Sequence, residues 1–149
     1  MVYVTTPSDG GCVLCEKPLE DADRKNLILC RRQLSFAILN AFPYSTGHVM
    51  VVPIRHVAEF DQLTRDELLG ITTLAQDAVL AITTAYHPDG FNLGMNLGRA
   101  AGAGIEGHLH LHVVPRWSGD TNFMSTVGEV KVIPESLETT FDKLRPHFG

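Results

Sequence analysis

The chain has 149 residues, 44% of them apolar, and a formal charge of −5. That length can bury one sizeable core and is too short to expect two; the acidic balance excludes a basic surface built to track a nucleic-acid backbone, while leaving room for a small anion. No apolar run reaches the ~18 residues of a membrane span. MVYVTTPSDGG (1–11) lacks the basic start and apolar middle of a signal peptide, so a soluble cytoplasmic protein is expected.

In chain order, Cys12 and Cys15 come first as a C-x-x-C pair. One pair offers two of the four ligands of a closed zinc site, and read alone it equally describes two small semi-buried cysteines near a terminus. A redox role is less expected, since no helix start clearly follows. With Cys30 the count is odd, which suits reduced thiols or a metal better than disulfides; Cys30 itself reads as a buried small residue. LSFAILN (34–40) and HVMVVP (48–53) read as neighbouring strands split by the turn formers of AFPYSTG. Phe36, Ile38 and Leu39 are core-facing, with one face able to wall a base pocket.

From Thr64 the pattern becomes helical. Thr64 and Glu67 make a capping box, and Leu68, Leu69, Ile71, Leu74, Ala75, Ala78, Val79 and Ile82 recur at helical spacing. Pro88 and Asp89-Gly90 predict an end near Tyr86. FNLGMN (91–96) reads as a strand, GRAAGAGIEG (98–107) as a loop of glycine and small residues, LHLHVVP as a strand stopped by Pro115, and 135–147 as a last helix. The expected fold is α+β: a small, mostly antiparallel sheet of about five strands with one long helix and a C-terminal helix, as one domain over 1–149.

On a strand, His108, His110 and His112 would share one face, and Leu109, Leu111 and Val113 the other. Successive imidazoles would stand roughly 6–7 Å apart. A solvated polar face explains poorly three repeats of a scarce residue at strict period two, which leaves metal ligation or nucleophilic and acid–base catalysis. A histidine nucleophile also needs donors for the charge on its target, and a glycine-rich loop just before the strand can supply converging N–H groups.

The run HLHLHVV followed by Pro115 and Arg116 resembles the signature of the histidine triad (HIT) family. Asn40, PYSTGH ending at His48, VVPIRH ending at His56, the helix after Thr64, Met95-Asn96 and the Gly-rich loop stand in that family's order and spacing over residues 12–117. WSGDTNFM (117–124) is similar to the branch holding bacterial dinucleoside polyphosphate hydrolases and phosphorylases. The resemblance implies that His110 attacks the α-phosphorus of a nucleotide to give a nucleotidyl-histidine, that His112 contacts the phosphate and helps protonate the leaving group, and that His108 orients the site. It further implies that Asn40 holds the ribose and Asn96 faces the phosphate or leaving group, although a turn-capping amide explains each on its own. Gly102, Ala103, Gly104 and Ile105 would form the phosphate cradle, without the Gln-Ser or Gln-Thr side-chain donors many members carry there. Such a cradle could admit inorganic phosphate in place of water, giving phosphorolysis.

The family also implies a structural zinc held by Cys12, Cys15, His56 and His108 and a homodimer; no organic cofactor is expected, and the charge and the short apolar runs lead to the expectation of neither a nucleic-acid nor a membrane partner. Residues 1–15 would then be a zinc-knuckle segment and 118–149 a C-terminal extension. His48 is either a satisfied histidine or one packed near the triad; His87 and His147 sit at helix ends, and Arg99 and Arg116 are taken as solvated. The expected activity is cleavage of diadenosine polyphosphates. Three rivals stand beside it: a phosphoramidate hydrolase, a hydrolase with a catalytic zinc on the three histidines, and a nucleotide-binding module without turnover. The zinc rival is geometrically awkward, because the outer two positions of the triad lie roughly 13 Å apart on a strand.

Overall fold

The computed structural model describes residues 11–103, 105, 107–120 and 135–149. Two short helical segments, α1 (Val13–Glu16) and α2 (Asp23–Asn26), lead into β1 (Ile28–Arg31), β2 (Ser35–Leu39) and β3 (Val49–Pro53). The long helix α3 (Arg65–Tyr86) then crosses to β4 (Gly90–Gly94) and β5 (Leu111–Arg116), and α4 (Leu137–Leu144) follows. The five strands make one antiparallel sheet in the order β1-β2-β3-β5-β4. The α+β expectation therefore holds, with the long helix and the C-terminal helix where the sequence sets them.

Every residue of β2 and β3 is buried, because both faces of the sheet are covered. Ala37, Leu39, Val49 and Val51 belong to the core that contains Ile71, Leu74, Ala78 and Ile82 of α3. Phe36, Ile38, Met50 and Val52 alternate into a second core with Cys12, Leu14 and Ile105. Although α3 has the length and composition to cross a bilayer, its buried side is a face of the first core.

The capping box forms as expected: the Thr64 hydroxyl accepts the Glu67 N–H at 3.0 Å, and the Glu67 carboxylate accepts the Thr64 N–H at 2.9 Å. The same carboxylate takes Nε–H and Nη2–H of Arg55 at 3.0 and 2.8 Å. The start of α3 is thereby tied to the segment leaving β3, beside His56.

Several boundaries differ from the sequence pattern. β1 is a strand that the pattern does not mark; it follows Leu27, which turns the chain at φ 63°. β5 begins only at Leu111, so His108 and His110 lie in an irregular lead-in, held by the Leu109 N–H on Val57 O at 2.8 Å. Pro115 does not stop the strand but pairs with Phe91. It is tolerated because the pairing of β3 with β5 ends at Val49–Val113, leaving β5 one neighbour at that height. β4 ends at Gly94, before Met95-Asn96. The last helix starts at Leu137, capped by Ser136, while Glu135 accepts from Tyr86, Thr140 and Lys143 and fastens α4 to the end of α3.

Glu67→Gln keeps the side-chain volume but removes the ion pair and weakens the cap; urea unfolding at pH 7 is expected to show a loss of about 1–2 kcal/mol. The Arg55 guanidinium, then the Thr64 N–H, hold the Glu67 carboxyl down at about 2. A folded pKa below the unfolded one stabilises above the ordinary carboxylate range, and that contribution is lost as pH falls toward 2. Wild type and variant are therefore expected to converge in acid.

Candidate active site and metal centre

Cys12 caps α1, Cys15 lies within it, His56 follows β3, and His108 opens the lead-in to β5. The helix start just after Cys12 corrects the expectation that none follows the C-x-x-C pair. The four ligand atoms lie within 4.8 Å of one another. His108 Nδ1 stands 3.4 Å from both sulfurs, and His56 Nδ1 stands 3.3 Å from Cys15 Sγ. A tetrahedron with bonds of about 2.3 Å to sulfur and 2.0 Å to nitrogen has S···N edges of roughly 3.5 Å. The residues thus fit one four-coordinate ion. His108 Nε2–H donates to Pro53 O at 2.7 Å, which leaves Nδ1 bare toward the sulfurs. Burial, then the neighbouring Cys12, push the Cys15 thiol up to about 11, so an ion binding here displaces protons.

With both nitrogens engaged, the His108 ring turns away from the other two and packs edge-on against His56, with ring centroids 5.1 Å apart. The triad does not converge on one point, which removes the reading of three histidines around a catalytic ion. His110 and His112 remain neighbours, with centroids 4.9 Å apart and planes at 75°.

Their tautomers follow from their partners. The His108 carbonyl can only accept, so its 2.9 Å bond with His110 Nδ1 requires a proton there. His110 Nε2 is then a free lone pair. A second chain starts at the Tyr44 N–H, which donates to His48 Nδ1 at 3.1 Å. His48 must carry its proton on Nε2, which donates to His112 Nδ1 at 2.9 Å, and neutral His112 therefore keeps N–H at Nε2. An electron-pair donor and a proton donor stand side by side. Burial lowers the pKa of His110 and takes that of His112 down to about 4, keeping both rings neutral near pH 7. His48, 1% exposed, is thus an active part of the cluster, and nothing in its local sequence beyond the family spacing marks it.

The remaining expected residues divide. Asn40 is buried beside His48, its Nδ2 3.5 Å from His48 Nε2, while its Oδ1 caps the turn by accepting the Phe42 N–H at 2.8 Å. Asn96, half-buried, lies two residues past the Gly94–His112 pair, toward the His110 end of the ladder. The expected convergence of donors from Gly102 and Ala103 is corrected: their N–H groups bond to Arg99 O and Gly98 O inside the loop's own turn. Gly98 and Gly102 serve shape instead, at φ 80° and 92°, in backbone that a side chain would strain. The Ile105 side chain is in the second core, so only its main chain can face a ligand. Gly104 lies outside the described residues. Arg116 is bound to Asp120 at 2.6 and 2.9 Å and to Asn92 at 2.7 Å, on the far end of β5, where the sequence suggests a solvated cation.

An AP-4-A phosphorylase of Mycobacterium tuberculosis is 45% identical over 119 residues, 80% of this chain and 61% of that protein, so the chain spans about three fifths of that relative's length. An adenosine 5'-monophosphoramidase of Schizosaccharomyces pombe is 30% identical over 70% of this chain and 74% of its own. The crystal structure of a zinc-bound histidine triad family protein from Mycobacterium smegmatis superposes with a TM-score of 0.74 at 27% identity, over 93% of each chain. The HIT domain family model matches residues 22–119, and the chain belongs to that family.

Proposed function

We propose that this protein cleaves dinucleoside polyphosphates such as diadenosine tetraphosphate at an α-phosphate, with His110 as the nucleophile. The observation that carries the reading is the pairing of tautomers: His110 presents a lone pair at Nε2 while adjacent His112 presents N–H. His110 Nε2 attacks the α-phosphorus, the P–O bond to the leaving nucleoside polyphosphate breaks, and His112 Nε2–H donates toward the departing oxygen. The adenylyl-histidine then passes its adenylyl group to water, giving AMP, or to inorganic phosphate, giving ADP. Asn40 is assigned to the ribose and Asn96 to the phosphate, and the turn at Gly98 and Gly102, with the main chain at Ile105, is assigned to give the anion access. The named activity of the mycobacterial relative supports the dinucleotide substrate and favours phosphate as acceptor.

A phosphoramidate substrate is the second reading, supported by the fission-yeast relative, since His112 can equally protonate an amine. A binding module without turnover is the remaining alternative. It gives no reason for a free Nε2 on a buried His110.

The ion held by Cys12, Cys15, His56 and His108 is proposed to be zinc, with a structural role at a distance from phosphorus. The S···N spacing and the zinc-bound relative support it. A homodimer is proposed through β4, the edge strand of the sheet among the described residues, where Leu93 and nearby Leu97 are exposed. Cytoplasmic location is proposed as well, supported by three cysteines that are all free.

His110→Ala is expected to lower turnover by roughly 10³-fold or more, while His112→Asn incubated with diadenosine tetraphosphate accumulates a trapped adenylyl adduct in intact-mass spectra. With diadenosine tetraphosphate, ADP beside ATP in the presence of phosphate marks phosphorolysis, and AMP beside ATP marks hydrolysis. Absence of adduct and of wild-type turnover across dinucleotides and phosphoramidates would sink the reading.

The acid limb of kcat/KM reports protonation of free-enzyme groups. Because burial lowers the pKa of His110 and takes that of His112 down to about 4, the acid limb is expected to lie below the ordinary imidazole value of 6.5. A limb at 6.5 or above would contradict the derived environment of the pair.

A further inference from the structure

We propose that the Cys12–Cys15 pair is a redox-sensitive switch for the nucleophile: the four-residue metal knot fixes His110 through the His108 main chain, and peroxide oxidation of the two thiols releases it. This rests on His110 being the nucleophile and adds a means of turning it off.

The sheet does not hold this segment. Ladder pairing with β3 reaches back only to Leu111, and with β4 only to His112. What fixes His108 is its own ring, with Nδ1 toward both sulfurs and Nε2–H on Pro53 O. Its carbonyl then receives the His110 Nδ1 proton. The next amide, Leu109 N–H, bonds to Val57 O, one residue beyond the ligand His56. The knot also grips the descending end of the glycine loop: Cys12 shares a core with Ile105, and a Cβ at Gly107 would stand 3.4 Å from His56 Nε2. Loss of the ion takes away the anchor at His108 Nδ1 and leaves the ring on Pro53 O alone, which loosens the acceptor that selects the His110 tautomer.

The chemistry closes on named groups. Cys15, the more open of the two sulfurs, takes one oxygen from hydrogen peroxide to become a sulfenic acid with release of water, and Cys12 sulfur then attacks Cys15 sulfur, breaking its S–O bond so that the hydroxyl leaves as the second water. In sum, two thiolates, one hydrogen peroxide and two protons give one disulfide and two waters, and the divalent ion leaves with two of its four ligands gone. The spacing of two residues suits such closure, whereas Cys30 lies on β1 with Arg32 Nε–H on its sulfur at 3.1 Å.

The test uses the full-length Cys30→Ser chain loaded with zinc and titrated with hydrogen peroxide, following free thiols, zinc released to a chromogenic chelator, and turnover of diadenosine tetraphosphate. The expected result is loss of two thiols and one zinc per chain, together with a fall in activity of roughly tenfold to a hundredfold, all reversed by dithiothreitol plus zinc. In parallel, the ¹⁵N shifts of the His110 ring are expected to report a single Nδ1–H tautomer in the zinc-loaded chain and a mixture after oxidation. That readout needs no substrate, so it separates failure of the switch from failure of the assigned activity. Retention of full activity and an unchanged tautomer once the zinc has left would overturn the proposal, as would inactivation with both thiols and zinc still in place.

Discussion

A main-chain carbonyl can accept a proton's hydrogen bond and never supply one, and in this protein that restriction fixes the chemistry of a neighbouring ring. Because His108 O faces His110 Nδ1, the imidazole is held in the one neutral form whose outward nitrogen carries a lone pair. Burial keeps it neutral. A ring held in this way needs no acidic partner to orient it, and among the described residues none is hydrogen-bonded to it. The orientation depends instead on where His108 lies, which turns a question of reactivity into one of backbone placement.

Two cores cooperate in that placement. The face of β2 and β3 that carries Ala37, Leu39, Val49 and Val51 is buried in one core with α3, and the other face buries Phe36, Ile38, Met50 and Val52 with Leu14, Cys12 and Ile105. The second cluster is small, and its edge is the ligand knot. Apolar burial and the four clustered side chains of Cys12, Cys15, His56 and His108 therefore act on the same short segment, with Arg55 and Glu67 bracing the start of α3 on the other side of His56. Regular hydrogen bonding resumes only at Leu111, past the residues that matter most.

Much of this was legible in the sequence, for reasons that differ from element to element. α3 combines a cap, a periodic face and a proline-glycine stop, three independent signals that agree. The triad, the Gly-rich loop and the C-x-x-C pair were readable as chemistry because scarce residue types recur at fixed spacing. β1 was not, since ILCR is four residues long and has a polar flank that resembles a loop. The true start of β5 was hidden because period two continues through HLHLH whether or not the ladder does. The inward N–H groups of Gly102 and Ala103 could not be foreseen, because composition reveals that a loop can turn tightly and not which way its amides point. His48 illustrates the limit most sharply. It is one histidine before an apolar run, and its relation to His112 exists only across the sheet, 64 residues away in the chain.

The connection between β2 and β3 has a further implication. Such a turn is ordinarily where a sheet accepts insertions at little cost, since loop-closure entropy grows slowly with length. Here the Ser45 hydroxyl bonds to Pro115 O at 2.8 Å, and the Tyr44 N–H bonds to the His48 ring. The turn is pinned to the strand that carries His112 at one point and to that histidine's own partner at another. A change of even one residue in its length would be felt as a change in which nitrogen of His112 holds the proton.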